Sequence, residues 1–173
     1  MPSVDVRPIR PQDLAAVQQM FRSGGDEKHS VRLARQEAGE ACYLTAWLDG
    51  DPVGHAFLLW AGPDHDDLLL RLPRTTLVED LVVHPDLRGR GIGTCLLQRA
   101  ESLTRLRSIP HLSLGVADGN TAARRLYERL GFRDAGIGPF MSRWVEPGPG
   151  GEARERSELV SFLTKRLAIA LPG

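Results

Sequence analysis

The stretch from Thr75 to Leu103, TTLVEDLVVHPDLRGRGIGTCLLQRAESL, constrains this chain more than any other. Thr75–Val83 is apolar and β-branched, which predicts a strand. Glycines stand at 89, 91 and 93, and a run with helical apolar periodicity starts at Ile92. A strand that enters a helix through a glycine-rich loop makes an α/β unit. In such a unit the first N–H groups of the helix, and its positive dipole end, open beyond the end of the strand. Glycines there keep side chains away from an approaching phosphate. A P-loop is excluded, because no lysine follows the glycines. The dinucleotide fingerprint fails at its third glycine, which is Thr94, and the following strand ends without an acid until Asp118. Two readings remain: an anion loop of the form Arg88-x-x-Gly91-x-Gly93, and a plain glycine-rich turn closing a strand–helix unit.

The rest of the chain supplies the context. Val4–Ile9 alternates as a strand. Pro11-Gln12-Asp13 opens a helix through Phe21, with Leu14, Val17 and Phe21 on one face. Residues 22–40 read as a loop and a mostly charged helix. Residues 41–61 contain two strands around the hairpin signal Asp49-Gly50-Asp51. An acidic loop, GPDHDD, precedes the central strand. His111–Val116 is a further strand, and Asn120 caps a helix with an apolar stripe of Ala123, Leu126, Tyr127 and Leu130, closed by Gly131. GIGPFMSRWV predicts another strand. Residues 146–157 read as a flexible loop, and ELVSFLTKRLAI as a final strand in preference to a helix. The whole, 1–173, is expected to be one domain.

Composition narrows the partners. Lys plus Arg equals Asp plus Glu at 22 each, so the formal charge is zero. No basic excess points to nucleic acid. No apolar run approaches the ~20 residues of a membrane span, and the charged N-terminal segment fits no signal peptide. Two cysteines, Cys42 and Cys95, are too few for a disulfide scaffold. A cytoplasmic setting is expected, with no nucleic-acid or membrane partner, and a homodimer is left open. No His/Cys/Asp cluster has metal-ligand spacing, so no metal is expected.

Two segments resemble the GNAT superfamily of acyl-CoA-dependent N-acyltransferases. VEDLVVHPDLRGRGIG is similar to its central strand and Gln/Arg-x-x-Gly-x-Gly/Ala loop. NTAARRLYERLGF is similar to its Asn-x-x-Ala-x-x-x-Tyr-x-x-x-Gly-Phe segment. The strong resemblance covers 75–133. It implies a mixed, mostly antiparallel sheet of about six to seven strands, split in a V at the two central strands and flanked by about four helices. It also implies acetyl-CoA as co-substrate. Its pantetheine arm would pair with the backbone of Leu81, Val82 and Val83, and its pyrophosphate would lie on Arg88, Gly89, Arg90, Gly91, Ile92, Gly93 and Thr94. Asn120, Ala123 and Tyr127 would complete the cofactor contacts.

The chemistry the resemblance implies is transfer of acetyl to a primary amine of a small molecule or peptide, by direct attack. Tyr127 takes the place of the general acid for the departing thiolate; as a plain core residue it would only pack with its hydroxyl satisfied. Asn120 is equally explained as an N-cap. Glu79 and Asp80 are the candidate bases for an ammonium of pKa ~10. Strand alternation puts them on opposite faces; the resemblance implies the base role for Glu79, with Asp80 on the other face toward an arginine, and the two exchange roles if the parity is reversed. His84 reads as a turn residue, whereas His55 and His65 fall on the acceptor side of the family layout. Cys95 falls inside a helix, which leaves no nucleophile for an acyl-enzyme. The acceptor is unreadable, since GPDHDD favours a cation and the adjacent RLPR an anion. A non-catalytic acyl-CoA-binding module is the alternative; such a module needs neither Glu79 nor Tyr127.

Overall fold

A computed structural model describes residues 3–169. The strands are β1 (Asp5–Pro8), β2 (Ala41–Leu48), β3 (Asp51–Leu59), β4 (Thr75–Val83), β5 (His111–Ala117), β6 (Arg133–Asp134), β7 (Phe140–Pro147) and β8 (Ala153–Arg166). The helices are α1 (Leu14–Met20), α2 (Gly25–Glu37), α3 (Asp66–Arg71), α4 (Ile92–Leu106) and α5 (Thr121–Arg129). The sheet runs β1-β2-β3-β4-β5-β8-β6, and β7 pairs with β8. Every pairing is antiparallel except β4–β5, which is parallel. The described residues thus form eight strands, slightly more than expected, because the two-residue β6 also joins β8.

Local chemistry explains the elements. Asp49 and Gly50 both take positive φ, 51° and 91°, the backbone a two-residue hairpin turn needs. Leu44, Ala46, Leu58 and Val78 pack with Ile92, Leu96 and Leu97 of α4 on one side of the sheet. Tyr43, Trp47 and Phe57 pack with Val17, Phe21 and Leu33 of α1 and α2 on the other. Helices cover both faces, which is why β2 and β3 are buried almost end to end rather than alternating.

Three sequence expectations are corrected. The loop expected over 146–157 shrinks to a turn at 148–152, because β7 and β8 continue as a paired ribbon from Phe140↔Val160 out to Pro147↔Ala153. That ribbon is polar on much of both faces and is held by side-chain pairs such as Arg156–Glu146 at 2.6 Å, so it lacks the apolar alternation that marks a half-buried strand. The acidic loop ends in a short helix, with Asp66 and Asp67 in the first turn of α3, where the helix dipole favours them. The first helix starts as a 3-10 turn, Pro11–Asp13, before α1. The final segment is a strand, as expected.

Candidate active site

β4 and β5 pair only from Thr75↔His111 to Val78↔Leu114. Beyond Val78 the two strands separate, and β5 continues its pairing with β8 as far as Ala117↔Val160. The edge of β4 from Glu79 onward is therefore open toward β5. On its other edge β4 remains paired with β3. His84 N–H donates to Val53 O at 2.9 Å, so strand alternation turns the peptide groups of Val83 and Leu81 into the gap and those of Val82 toward β3. Arg88 reaches back along this edge, its Nε donating to Val83 O at 3.3 Å.

A bulge interrupts β4. His55 faces Val82 while Phe57 faces Glu79, so β4 holds one residue more than β3 across this span. Asp80 absorbs it at φ 49°, a left-handed conformation that aspartate tolerates better than most residues. The bulge corrects the expectation that Glu79 and Asp80 face opposite ways. Glu79 lines a pocket against α2, and Asp80 turns to the same helix, accepting hydrogen bonds from Arg32 Nη1 at 2.7 Å and Lys28 Nζ at 3.2 Å. Alternation resumes after it: Leu81 and Val83 pack on the α4 side, and Val82 on the α2 side. Burial raises the Glu79 carboxyl above its ordinary range, against the pull of Arg32 and Arg35. Burial also works to raise Asp80, but Arg32, His55 and Lys28 outweigh it and hold the carboxyl low.

The glycine loop ends at Gly91, the N-cap of α4, with φ 83° and no side-chain cap. Gly89 is also left-handed, at φ 75°. A Cβ at either would meet open space, so backbone conformation is what requires glycine there. Gly93 differs: it lies within α4, and a Cβ would touch Leu126 at 3.5 Å and Val83 at 3.9 Å, ordinary contacts. Among the described residues, the backbone N–H groups from Gly89 to Thr94 have no protein acceptor; the first such bond is Cys95 N–H to Gly91 O. A run of free N–H groups at the start of a 15-residue helix is a site for an anion.

α5 begins at Asn120, whose Oδ1 accepts from Ala123 N–H at 3.1 Å, so its side chain does act as an N-cap. Asn120 also lines a cavity of about 630 Å³ at the end of β5. Ala123 and Tyr127 lie on the α4 side of the sheet in the same cluster as Leu81 and Val83. Tyr127 packs edge-on to Phe132 at 6.1 Å, and burial raises its phenol. Its hydroxyl has no protein hydrogen-bond partner among the described residues, unlike a core tyrosine tied into place. Glu79 and Tyr127 thus occupy opposite faces of the sheet, at the strand where the split begins.

The histidines fall elsewhere. His55 is buried against Phe21, His29 and Tyr43, and burial pushes its imidazole well down. His29 bonds the Tyr43 hydroxyl and Phe21 O, each at 2.6 Å. His65 is half-buried against Phe140 and Phe162 rather than solvated. His84 caps the turn after β4. Cys42 is buried with its thiol pushed up to about 11, and Cys95 is half-buried in α4. Among the described residues no group of His, Cys, Asp and Glu is arranged to hold a metal, and no helix is long and apolar enough to cross a membrane. The reading of the sequence misses the wall of the Glu79 pocket: Lys28, Arg32 and Arg35 recur along one face of α2, a spacing that is visible once 25–37 is taken as helix.

The split sheet and the free N–H loop at the end of its central strand belong to a chain that is similar to known proteins in sequence and in fold. The model of the acetyltransferase (GNAT) family matches residues 12–132, and the chain belongs to that family. Streptothricin acetyltransferase of Streptomyces lavendulae is 31% identical over 102 residues, 59% of this chain and 49% of that protein, so the match spans about half of that relative's length. The ribosomal-protein-S18-alanine N-acetyltransferase of Escherichia coli superposes with a TM-score of 0.67 at 19% identity, over 97% of this chain and 96% of that one. An N-acetyltransferase of Staphylococcus aureus gives 0.70 at 16%, over 96% and 99%. The PaiA N-acetyltransferase of Thermoplasma acidophilum, in complex with coenzyme A, gives 0.63 at 17%, over 92% and 98%.

Proposed function

We propose that this chain moves an acetyl group from acetyl-CoA to a primary amine of a small molecule or peptide, by direct attack. The observation that carries the reading is the run of free N–H groups from Gly89 to Thr94 beside the open edge of β4. The loop suits a pyrophosphate, with Arg88 and Arg90 adding local charge, and the edge suits an extended amide chain bonding to Leu81 and Val83. The thioester then lies in the gap, between Glu79 on one face and Tyr127 on the other.

Glu79 accepts the ammonium proton, directly or through water, and its raised carboxyl is a better base than an ordinary one. The amine nitrogen attacks the thioester carbonyl while a gap-facing N–H, that of Leu81 or Val83, steadies the oxyanion. The C–S bond breaks, Tyr127 donates its proton to the departing thiolate, and the attacking nitrogen gives up its second proton, through water, to restore the phenol. Burial holds the phenol above its ordinary ~10, uphill of a thiol at ~8.5, so the proton moves as the C–S bond breaks and charge builds on sulfur. With no thiol on the open edge, no acyl-enzyme is invoked. A module that only binds acyl-CoA has no use for a proton donor and an acceptor flanking the gap. The free cysteines suit a reducing compartment such as the cytoplasm.

The test is acetyl-CoA turnover against a panel of amines, read by thiol release, with initial-rate patterns. Intersecting lines are expected. Parallel lines with labelled acyl-protein overturn direct attack, and bound acetyl-CoA with no amine turned over leaves only the binding module.

A further inference from the structure

The pocket that holds Glu79 has a charge pattern that a simple amine does not explain. It encloses about 370 Å³, within the usual small-molecule range of ~300–1,000 Å³. Its floor is the cross-strand pair Phe57↔Glu79. Its wall is α2, which contributes Lys28, Arg32 and Arg35. Glu27, exposed on the first turn of that helix, is the other acid of the lining.

The three cations are not equally committed. Arg32 is fixed: its side chain is 11% exposed, bonded to Asp80, and its guanidinium stands 5.1 Å from the Phe57 ring centre. Lys28 gives one of its three protons to Asp80, and its side chain is 24% exposed. Arg35 bonds Glu40 through Nε at 3.1 Å and is 43% exposed, leaving both terminal nitrogens free of salt bridges among the described residues. Lys28 and Arg35 therefore have donors to spare toward the pocket. The N-terminal turn of α2 adds to them, since Gly24 lines the same pocket and α2 starts with no side-chain cap. A purely cationic acceptor, such as a polyamine, has no use for these spare donors, which call for an anionic group beside the amine.

We infer that the acceptor is a small molecule carrying a carboxylate beside its amine, an amino-acid-like substrate, with the amine at Glu79 and the carboxylate taken by Lys28 and Arg35. Val31 and Phe57 leave an apolar strip for the body of the molecule. The inference rests on the acetyltransfer reading above.

The experiment compares matched amines: leucine against leucinamide and 3-methylbutylamine, phenylalanine against phenethylamine, and β-alanine against its amide. Spermidine and phosphoethanolamine serve as the cationic and phosphorylated alternatives. At least one carboxylate-bearing amine is expected to exceed its uncharged partner tenfold or more in kcat/KM. Lys28→Gln and Arg35→Gln should each bring that ratio toward one, through KM. Equal rates within every pair, a ratio untouched by both variants, or preference for spermidine or phosphoethanolamine overturns the inference and leaves acetyltransfer standing. If calorimetry shows acetyl-CoA bound and no amine is turned over, the inference and the amine-transfer reading fall together. If acetyl-CoA does not bind, the proposed function fails at its first step.

Discussion

Arg32 on α2 donates to the Asp80 carboxylate at 2.7 Å across 48 residues of chain. Asp80 is the left-handed residue of the β4 bulge, so this bond ties the helix that walls the pocket to the point where the central strand changes parity. Lys28 reinforces it at 3.2 Å. Asp80→Asn keeps the size and tolerates the backbone but loses the ion pairs. It should lower kcat/KM for the acceptor by roughly ten- to a hundredfold, about 1.4–2.8 kcal/mol, and leave acetyl-CoA affinity unchanged by calorimetry. Full acceptor kinetics in Asp80→Asn would show that the tie is ornamental.

As the proposed base, Glu79 should govern the acidic side of the pH profile. Its carboxyl is raised by burial, so the basic form appears only as pH rises past the ordinary carboxylate range of ~4.3. Activity should climb through that ionisation. Glu79→Gln should flatten the limb and depress the rate below the pKa of the acceptor ammonium. An identical profile in the variant moves the base to Asp80 or to water alone.

Tyr127 is raised by burial and so stays protonated through neutral pH, as a donor must. Tyr127→Phe removes one hydroxyl with no protein bond to lose. Turnover should fall about ten- to a thousandfold, with the melting temperature nearly unchanged. Unimpaired turnover returns Tyr127 to the core.

Gly91 and Gly93 should respond differently. Gly91→Val puts a β-branched residue at φ 83° and spoils the N–H run, so acetyl-CoA affinity should be lost with the fold retained. Gly93→Ala adds a methyl that meets only ordinary contacts, and binding should survive. Equal sensitivity at both positions would mean that the glycines serve packing rather than the anion.

His55 makes the fold acid-sensitive. Burial lowers its pKa to about 3 from the ordinary imidazole value of ~6.5, so below ~6.5 the unfolded chain takes up a proton that the folded chain refuses. Its contribution is complete above pH 6.5 and is lost progressively as pH falls toward 3. His29 is lowered by burial too and adds to the same slope. His55→Phe should flatten the decline of melting temperature between pH 6.5 and 4. A decline as steep as that of the parent protein assigns the acid loss to other groups.

Much of this architecture is legible in the sequence because glycines and caps report backbone geometry directly. Gly91, Asn120 and Gly131 mark helix ends wherever the helices pack. The strand over Thr75–Val83 is legible from its β-branched run. The bulge is not, because period-two alternation has no sign for one extra residue, and its consequence is that Asp80 shares the α2 face with Glu79. The outer part of β8, Ala153–Ser157, is hidden for another reason: ARERS is polar on both faces of an exposed ribbon, so burial leaves no imprint on it. The cationic wall at Lys28, Arg32 and Arg35 reads in sequence as an ordinary solvated helix face; its meaning depends on what α2 lies against.

The parting of β4 from β5 also bears on stability. The Leu81 peptide groups and the Val83 N–H, which an unbroken sheet would satisfy internally, are left for an occupant, which in effect becomes a strand of the sheet. Such an occupant stabilises the native state by mass action, about 2.7 kcal/mol at a hundredfold excess over its Kd. Thermal melting therefore becomes a screen that needs no knowledge of the acceptor: whatever fills the gap raises the transition, and slowed hydrogen exchange at the Leu81 and Val83 amides identifies where it lies.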